Sequence, residues 1–177
     1  MNAERGTRNA ERVALIALGS NLGDSVALIH EAFARLENLS TSPLRISSLW
    51  QTTPVDCPPG SPLFLNAAVA FTPLPQETPE SLLAKLQAVE KEFGRRPKGV
   101  MNEPRPLDLD LIAFGGEVRA TPELILPHPR AHLRRFVLQP LGEIAPEFML
   151  PGQTRTVMQL LQTLDTSEQI TRRSAAR

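Results

Sequence analysis

The chain has no apolar run approaching the ~20 residues that a membrane-spanning helix needs. Its polar first dozen residues, in which Asn-Ala-Glu-Arg occurs twice, contain nothing that could serve as a signal peptide. A span and a secretory leader are therefore not expected. Net charge is also missing: 19 basic and 19 acidic side chains cancel. That balance argues against nucleic acid or a membrane surface as a partner, and it leaves room for local clusters of either sign. A second cysteine is absent, so Cys57 closes no internal disulfide, which suits a reducing cytoplasm. At 177 residues the chain is long enough for one domain with a proper core and too short for two.

What is present is a repeated switch of hydrophobic period between proline-rich connections. Val13 to Leu18 is a short apolar run ending at Gly19-Ser20-Asn21, a buried strand entering a turn. Asp24 follows as an N-cap, with Ile29, Ala32, Phe33 and Leu36 at helical spacing. Leu44, Ile46 and Trp50 are expected on one face of a second strand, and Leu63 to Phe71 reads as a buried central strand. Thr78-Pro79 starts a second helix with the stripe Leu82, Leu86, Val89 and Phe93, closed by Gly94. Leu107 to Phe114 is a fourth strand, and Gly115-Gly116 suggests a hairpin into a short fifth near residues 117–119. Residues 136–144 and 156–164 are expected to be helical. The order β-α-β-β-α-β predicts an α+β domain with a ferredoxin-like βαββαβ core, an antiparallel sheet with helices packed on it. It is expected to occupy residues 12–168, between a disordered extension at 1–11 and a flexible tail at 169–177.

Four features can carry chemistry. Asp108 and Asp110 alternate with Leu107, Leu109 and Leu111, so both carboxylates project from one strand face. A bound cation would relieve their repulsion, as Mg²⁺ does in phosphoryl-transfer sites; a solvated acidic strand face is the plainer reading. Gly19-Ser20-Asn21-Leu22-Gly23-Asp24 could cradle a phosphate, but it has no Gly-Lys-Ser/Thr ending, and a tight turn with a helix cap is the favoured reading. Asn66 is a polar residue inside an apolar strand, and Phe64 shares its face; the pair could read a flat heterocycle, or Asn66 could bond a neighbouring loop. Two basic segments, Arg95, Arg96, Lys98 and Arg105, then His128, Arg130, His132, Arg134 and Arg135, flank the acidic strand. They suit a metal-bound polyphosphate or a solvated surface.

Together these segments resemble the 6-hydroxymethyl-7,8-dihydropterin pyrophosphokinase family of folate synthesis, from about Val13 to Met149. The resemblance rests on Ala17-Leu18-Gly19-Ser20-Asn21-Leu22-Gly23-Asp24, Phe64-Leu65-Asn66-Ala67-Ala68-Val69, Gly94-Arg95-Arg96, Pro104-Arg105-Pro106-Leu107-Asp108-Leu109-Asp110, Leu126-Pro127-His128-Pro129 and Pro140-Leu141-Gly142-Glu143-Ile144-Ala145-Pro146, in order. It implies pyrophosphate transfer from ATP to the dihydropterin. Asp108 and Asp110 would bind two Mg²⁺ ions, with Arg95 and Arg105 joining them in catalysis. Gln87, Glu90, Arg105, Ile112, His128 and Arg134 would contact ATP. Phe64 and Phe136 would sandwich the pterin, and Asn66 with Thr52, Thr53, Pro54 and Val55 would read its polar edge. The resemblance also implies small-molecule substrates, no obligatory protein partner and a stand-alone enzyme, the chain being too short to hold a fused folate enzyme of ordinary size.

The chain departs from that pattern in three places. Many relatives carry Arg-Trp-Gly-Pro-Arg where this chain has Met101-Asn102-Glu103-Pro104-Arg105, which removes one arginine and one tryptophan. Lys98 or Arg96 is expected to supply the missing cation. Phe64 stands where tyrosine is frequent, keeping the stacking surface without the hydroxyl, and Pro129 replaces a common aromatic.

Overall fold

The computed structural model describes residues 12–54, 56–97, 99 and 103–173. β1 (Ala14–Ser20) is an interior strand of the sheet and is apolar on both faces. Antiparallel neighbours pair along both of its edges: β4 (Phe64–Phe71) on one side and β5 (Asp108–Phe114) on the other. Beyond β4 lie two short strands, β2 (Arg45–Ile46) and β3 (Trp50–Thr52), and β3 pairs in turn with β8 (Ile170–Arg172). The order across the six-stranded sheet is β5-β1-β4-β3-β8, with β2 also on β4.

Alternation along the strands sends side chains into two cores. Ile16, Leu18, Ala67, Val69, Leu109 and Leu111 face one way, against α1 (Ser25–Glu37) through Ile29, Phe33 and Leu36 and against α2 (Pro79–Glu92) through Leu82 and Leu86. Leu15, Ala17, Ala68, Ala70, Ile112 and Ala113 face the other way, onto α3 (Arg135–Ile144) and α4 (Val157–Thr163). The helix starts follow their capping chemistry: Asp24 accepts from the Ala27 N–H, and Thr78-Ser81 and Thr156-Gln159 form capping boxes.

Four local expectations need correction. β1 does not turn at Gly19 but continues to Ser20, because Gly19 is paired on both edges, with Asn66 and with Asp108. Leu44, Ile46 and Trp50 do not share one strand face. Ser47 interrupts the ladder by offering its own Oγ to the Ala68 N–H at 2.8 Å. Ile46 opposes Val69 while Trp50 opposes Asn66, so four steps match three and the side-chain parity flips, as at a bulge. The Gly115-Gly116 turn does not return a strand onto β5: β6 (Arg119–Ala120) instead pairs with β7 (Ile125–Leu126) in a separate two-stranded sheet. Finally, the stretch expected to be a flexible tail from residue 169 carries β8. Its pairing is made by backbone groups on the open edge of β3, which a hydrophobic pattern does not report.

Candidate active site

The sheet register gathers the polar residues at one end and on the α3 face. Asp108, Gly19, Asn66 and Trp50 lie opposite one another across four strands, Asp110 lies opposite Ala17, and Phe64 opposite Thr52. Small residues beneath the carboxylates keep the floor low: a Cβ on Gly19 would sit 3.5 Å from Asn66 Oδ1 and 3.9 Å from Phe64. Above this floor opens a cleft of about 260 Å³, walled by Thr52, Thr53, Phe64 and Asn66 on one side and by Arg134 and Phe136 on the other. Asp108, Asp110 and Arg105 stand at its base. A second cavity of about 380 Å³ is lined by Gln87, Glu90, Arg95, Arg96 and Asp110. Asp110 borders both cavities.

Charge is packed tightly around the pair. Arg95 donates to Asp108 Oδ1 at 2.6 Å and also pairs with Glu90, while Arg105 Nη1 is 3.6 Å from Asp108 Oδ2. Burial and then the neighbouring Asp108 charge push the Asp110 carboxyl up to about 7, against the pull of Arg134, Arg95 and Arg105. Burial likewise raises Glu90 to about 7, although the Leu109 N–H, 2.7 Å from Glu90 Oε1, and the Arg95 charge both favour its ionised form. His128 is lowered to about 4 by burial, Arg134 and Arg130, so its ring is neutral near pH 7. Its Nδ1 accepts from the Arg130 N–H at 3.3 Å, which leaves the ring proton on Nε2 as a donor.

Paired carboxylates ringed by cations, between an aromatic-walled cleft and a second cavity, suit a site that joins a flat heterocycle to a polyphosphate. Comparison with known proteins agrees. The family description 7,8-dihydro-6-hydroxymethylpterin-pyrophosphokinase (HPPK) matches residues 15–146. The chain belongs to the HPPK family. It is 41% identical over 134 residues to the 2-amino-4-hydroxy-6-hydroxymethyldihydropteridine pyrophosphokinase of Bacillus subtilis, covering 75% of this chain and 77% of that protein. It is 35% identical over 152 residues to the Synechocystis protein of the same name, covering 86% and 76%. A folate synthesis bifunctional protein of Arabidopsis thaliana is 40% identical over 131 residues, 73% of this chain and 26% of that protein. In fold, the chain is similar to the crystal structure of wild-type Plasmodium falciparum HPPK-DHPS with pteroate, with a TM-score of 0.68 at 13% identity. That likeness covers 85% of this chain and 44% of the other. The chain therefore spans less than half of the bifunctional relatives and about three quarters of the Bacillus subtilis and Synechocystis proteins. The activity for which the family is named is transfer of pyrophosphate from ATP to hydroxymethyldihydropterin, a step of folate synthesis.

Within this HPPK domain, the residues expected at the site do not all sit alike. Thr52, Thr53, Phe64, Asn66, Arg105, Asp108, Asp110, Arg134 and Phe136 line the first cavity, and Gln87, Glu90, Arg95 and Arg96 line the second. Asn66 lines the cleft, and its Nδ2 donates to Thr52 Oγ1 at 2.7 Å, a partner on the adjacent strand β3 and not in a loop. Glu90 is a brace between α2 and β5 as well as a wall. Ile112 lines neither cavity: its side chain is fully buried under α3, and its carbonyl accepts from the His128 N–H at 2.9 Å. His128 and Pro54 line neither of these cavities. Val55, Lys98, Met101 and Asn102 lie outside the described residues.

Three contributors had no clear signal in the sequence. Within the glycine motif Asp24 caps α1, and Asn21 clamps the loop before β5, its N–H donating to the Arg105 carbonyl and its Oδ1 accepting from the Arg105 N–H at 2.9 Å. Cys57 lines the first cavity. So does Glu168, from the segment expected to end the domain.

Proposed function

We propose that this chain transfers the terminal pyrophosphate of ATP to 6-hydroxymethyl-7,8-dihydropterin, with the pterin between Phe64 and Phe136 and ATP reaching it from the Gln87 cavity. The observation that carries the reading is the place of Asp110, the carboxylate shared by both cavities, beside Asp108 and Arg95. The scaffold is read as ferredoxin-like, supported by the strand order β5-β1-β4-β3 with a helix after β1 and after β4.

Asp108 and Asp110 fit Mg²⁺ in their donor set. Among the described residues no group of three or more His, Cys, Asp or Glu side chains could hold a metal ion. Mg²⁺ commonly takes only one or two carboxylates and completes its shell with water and substrate phosphates. Two such ions would supply charge neutralisation across the polyphosphate and hold attacking and leaving oxygens in line. The protein's own residues do the rest. The pterin hydroxyl oxygen forms its bond to the β-phosphorus of ATP as the bond from that phosphorus to the oxygen bridging the α-phosphate breaks, and AMP leaves with that oxygen. The hydroxyl proton passes to surrounding carboxylate or water oxygens, and no covalent enzyme intermediate is required, because positioning and charge neutralisation supply most of the barrier reduction. Arg95, Arg105 and Arg134 stabilise the phosphate charge. Arg96, which lines the second cavity, is the cation we read as replacing the arginine missing from the loop sequence.

Incubation with Mg²⁺, ATP and the hydroxymethyldihydropterin should give pterin-dependent AMP. An Asp110→Ala variant with an unchanged circular dichroism spectrum should be slower by about a thousandfold or more. Production of ADP would point to an ordinary kinase acting on another acceptor, and tight pterin binding without ATP consumption to a non-catalytic binding domain.

A further inference from the structure

The family match ends at residue 146, yet one wall of the substrate cleft is held by residues beyond it. α3 opens without a side-chain cap of its own, since Arg134 at the N-cap position makes no such bond. Phe136, on the first turn of α3, carries one of the amide hydrogens that a helix start leaves without an intrahelical partner. Glu168 Oε2 accepts that hydrogen at 3.2 Å from a position 32 residues further along the chain. The Glu168 backbone N–H is itself held by Thr166 Oγ1 at 3.2 Å, and the strand that follows is pinned to the edge of the sheet through β3. Arg134 lies over the Phe136 ring, 5.3 Å from its centroid, and Glu168 is one of the anions that support its charge.

We propose that Glu168 is a positioning residue for the pterin wall. It caps α3 from the C-terminal segment, so the Phe136 ring and the Arg134 guanidinium stay in place before substrate arrives. The inference rests on the proposed reading of the cleft as the pterin site. A carboxylate suits this position twice over, as an acceptor for an exposed helix amide and as an anion at the positive end of the helix. With the wall preformed, binding need not order it.

The test is steady-state kinetics, with separate KM values for pterin and ATP, and direct pterin titration for wild type, Glu168→Ala and Glu168→Gln. Glu168→Ala should raise the pterin dissociation constant, titrated without ATP, roughly five- to tenfold, with a smaller rise in the ATP KM carried by Arg134. Glu168→Gln, whose amide oxygen can still accept from Phe136, should recover most of the loss. Unchanged pterin binding in Glu168→Ala, or a loss of pterin binding that Glu168→Gln fails to recover, would overturn the positioning role. Failure of the wild-type protein to bind pterin would instead overturn the reading of the cleft, and the inference with it.

Discussion

Asp110 shows what the chemistry demands of a single residue. Its carboxyl is raised to about 7 from an ordinary 3.8 by burial and by Asp108, so the folded protein holds its proton more tightly than the unfolded chain does. Between about pH 4 and pH 7 the folded state therefore binds more protons, and stability falls as pH rises through that window and is level above it. In metal-free protein, Asp110→Asn should melt at a higher temperature than wild type at pH 8. The gain should shrink as pH falls and vanish near pH 4, as melts across that range would check. A variant that is more stable and inactive is the usual mark of a strained functional position. The Asp-x-Asp spacing was legible in the sequence because strand periodicity is local; the burial that raises Asp110 was not, because it depends on what the tertiary structure packs around β5.

Two buried polar side chains, Asn21 and Glu77, tie segments of the chain together. The first joins β1 to the arginine loop; its motif read as a tight turn and helix cap, with no sign of a clamp on a distant loop. Asn21→Ala should cost about 1–3 kcal/mol by leaving the Arg105 amide without its acceptor. The same change should raise the ATP KM, because Arg105 stands at the base of the cleft and near Asp108. Denaturant unfolding and steady-state kinetics check the two parts. The second lies at the start of α2. There Glu77, nearly inaccessible, accepts from Ser81 and Lys85. Burial works to raise the Glu77 carboxyl, but the bonds to Lys85 and Ser81 outweigh it and hold it below its usual value. A lowered carboxyl contributes stability that is present above its unfolded value, about 4.5, and is lost as pH falls through the folded one. Glu77→Gln should thus be less stable than wild type at neutral pH, with the gap closing in acid unfolding. Helix starts of this kind were readable from Thr78-Pro79 alone; the reach of Lys85 back to Glu77 adds a contact that sequence spacing does not advertise.

At the scale of the whole molecule, a six-stranded sheet with helices on both faces places the carboxylates where two cavities meet. Ligands that bind only the folded form should then stabilise it together. A hundredfold excess of ATP with Mg²⁺ over its Kd is worth about 2.7 kcal/mol, a rise in Tm of roughly 5–10 °C for a domain of this size. Chelation of Mg²⁺ should remove most of that rise in a thermal-shift titration. The sequence by itself determined the apolar strands, the helices with their caps, the family, and the carboxylate pair with its two basic flanks. These are local patterns, in which periodicity, capping and motif spacing each act within a few residues. Only the tertiary structure decided that Trp50 turns to the face of Asn66, that Ile112 is core, that Asn21 is a clamp, and that Glu168 from a polar, unpatterned segment walls the cleft. Each of these depends on backbone pairing or on hydrogen bonds between residues far apart in the chain, and such interactions are set by which edges and helix ends the fold leaves to be satisfied.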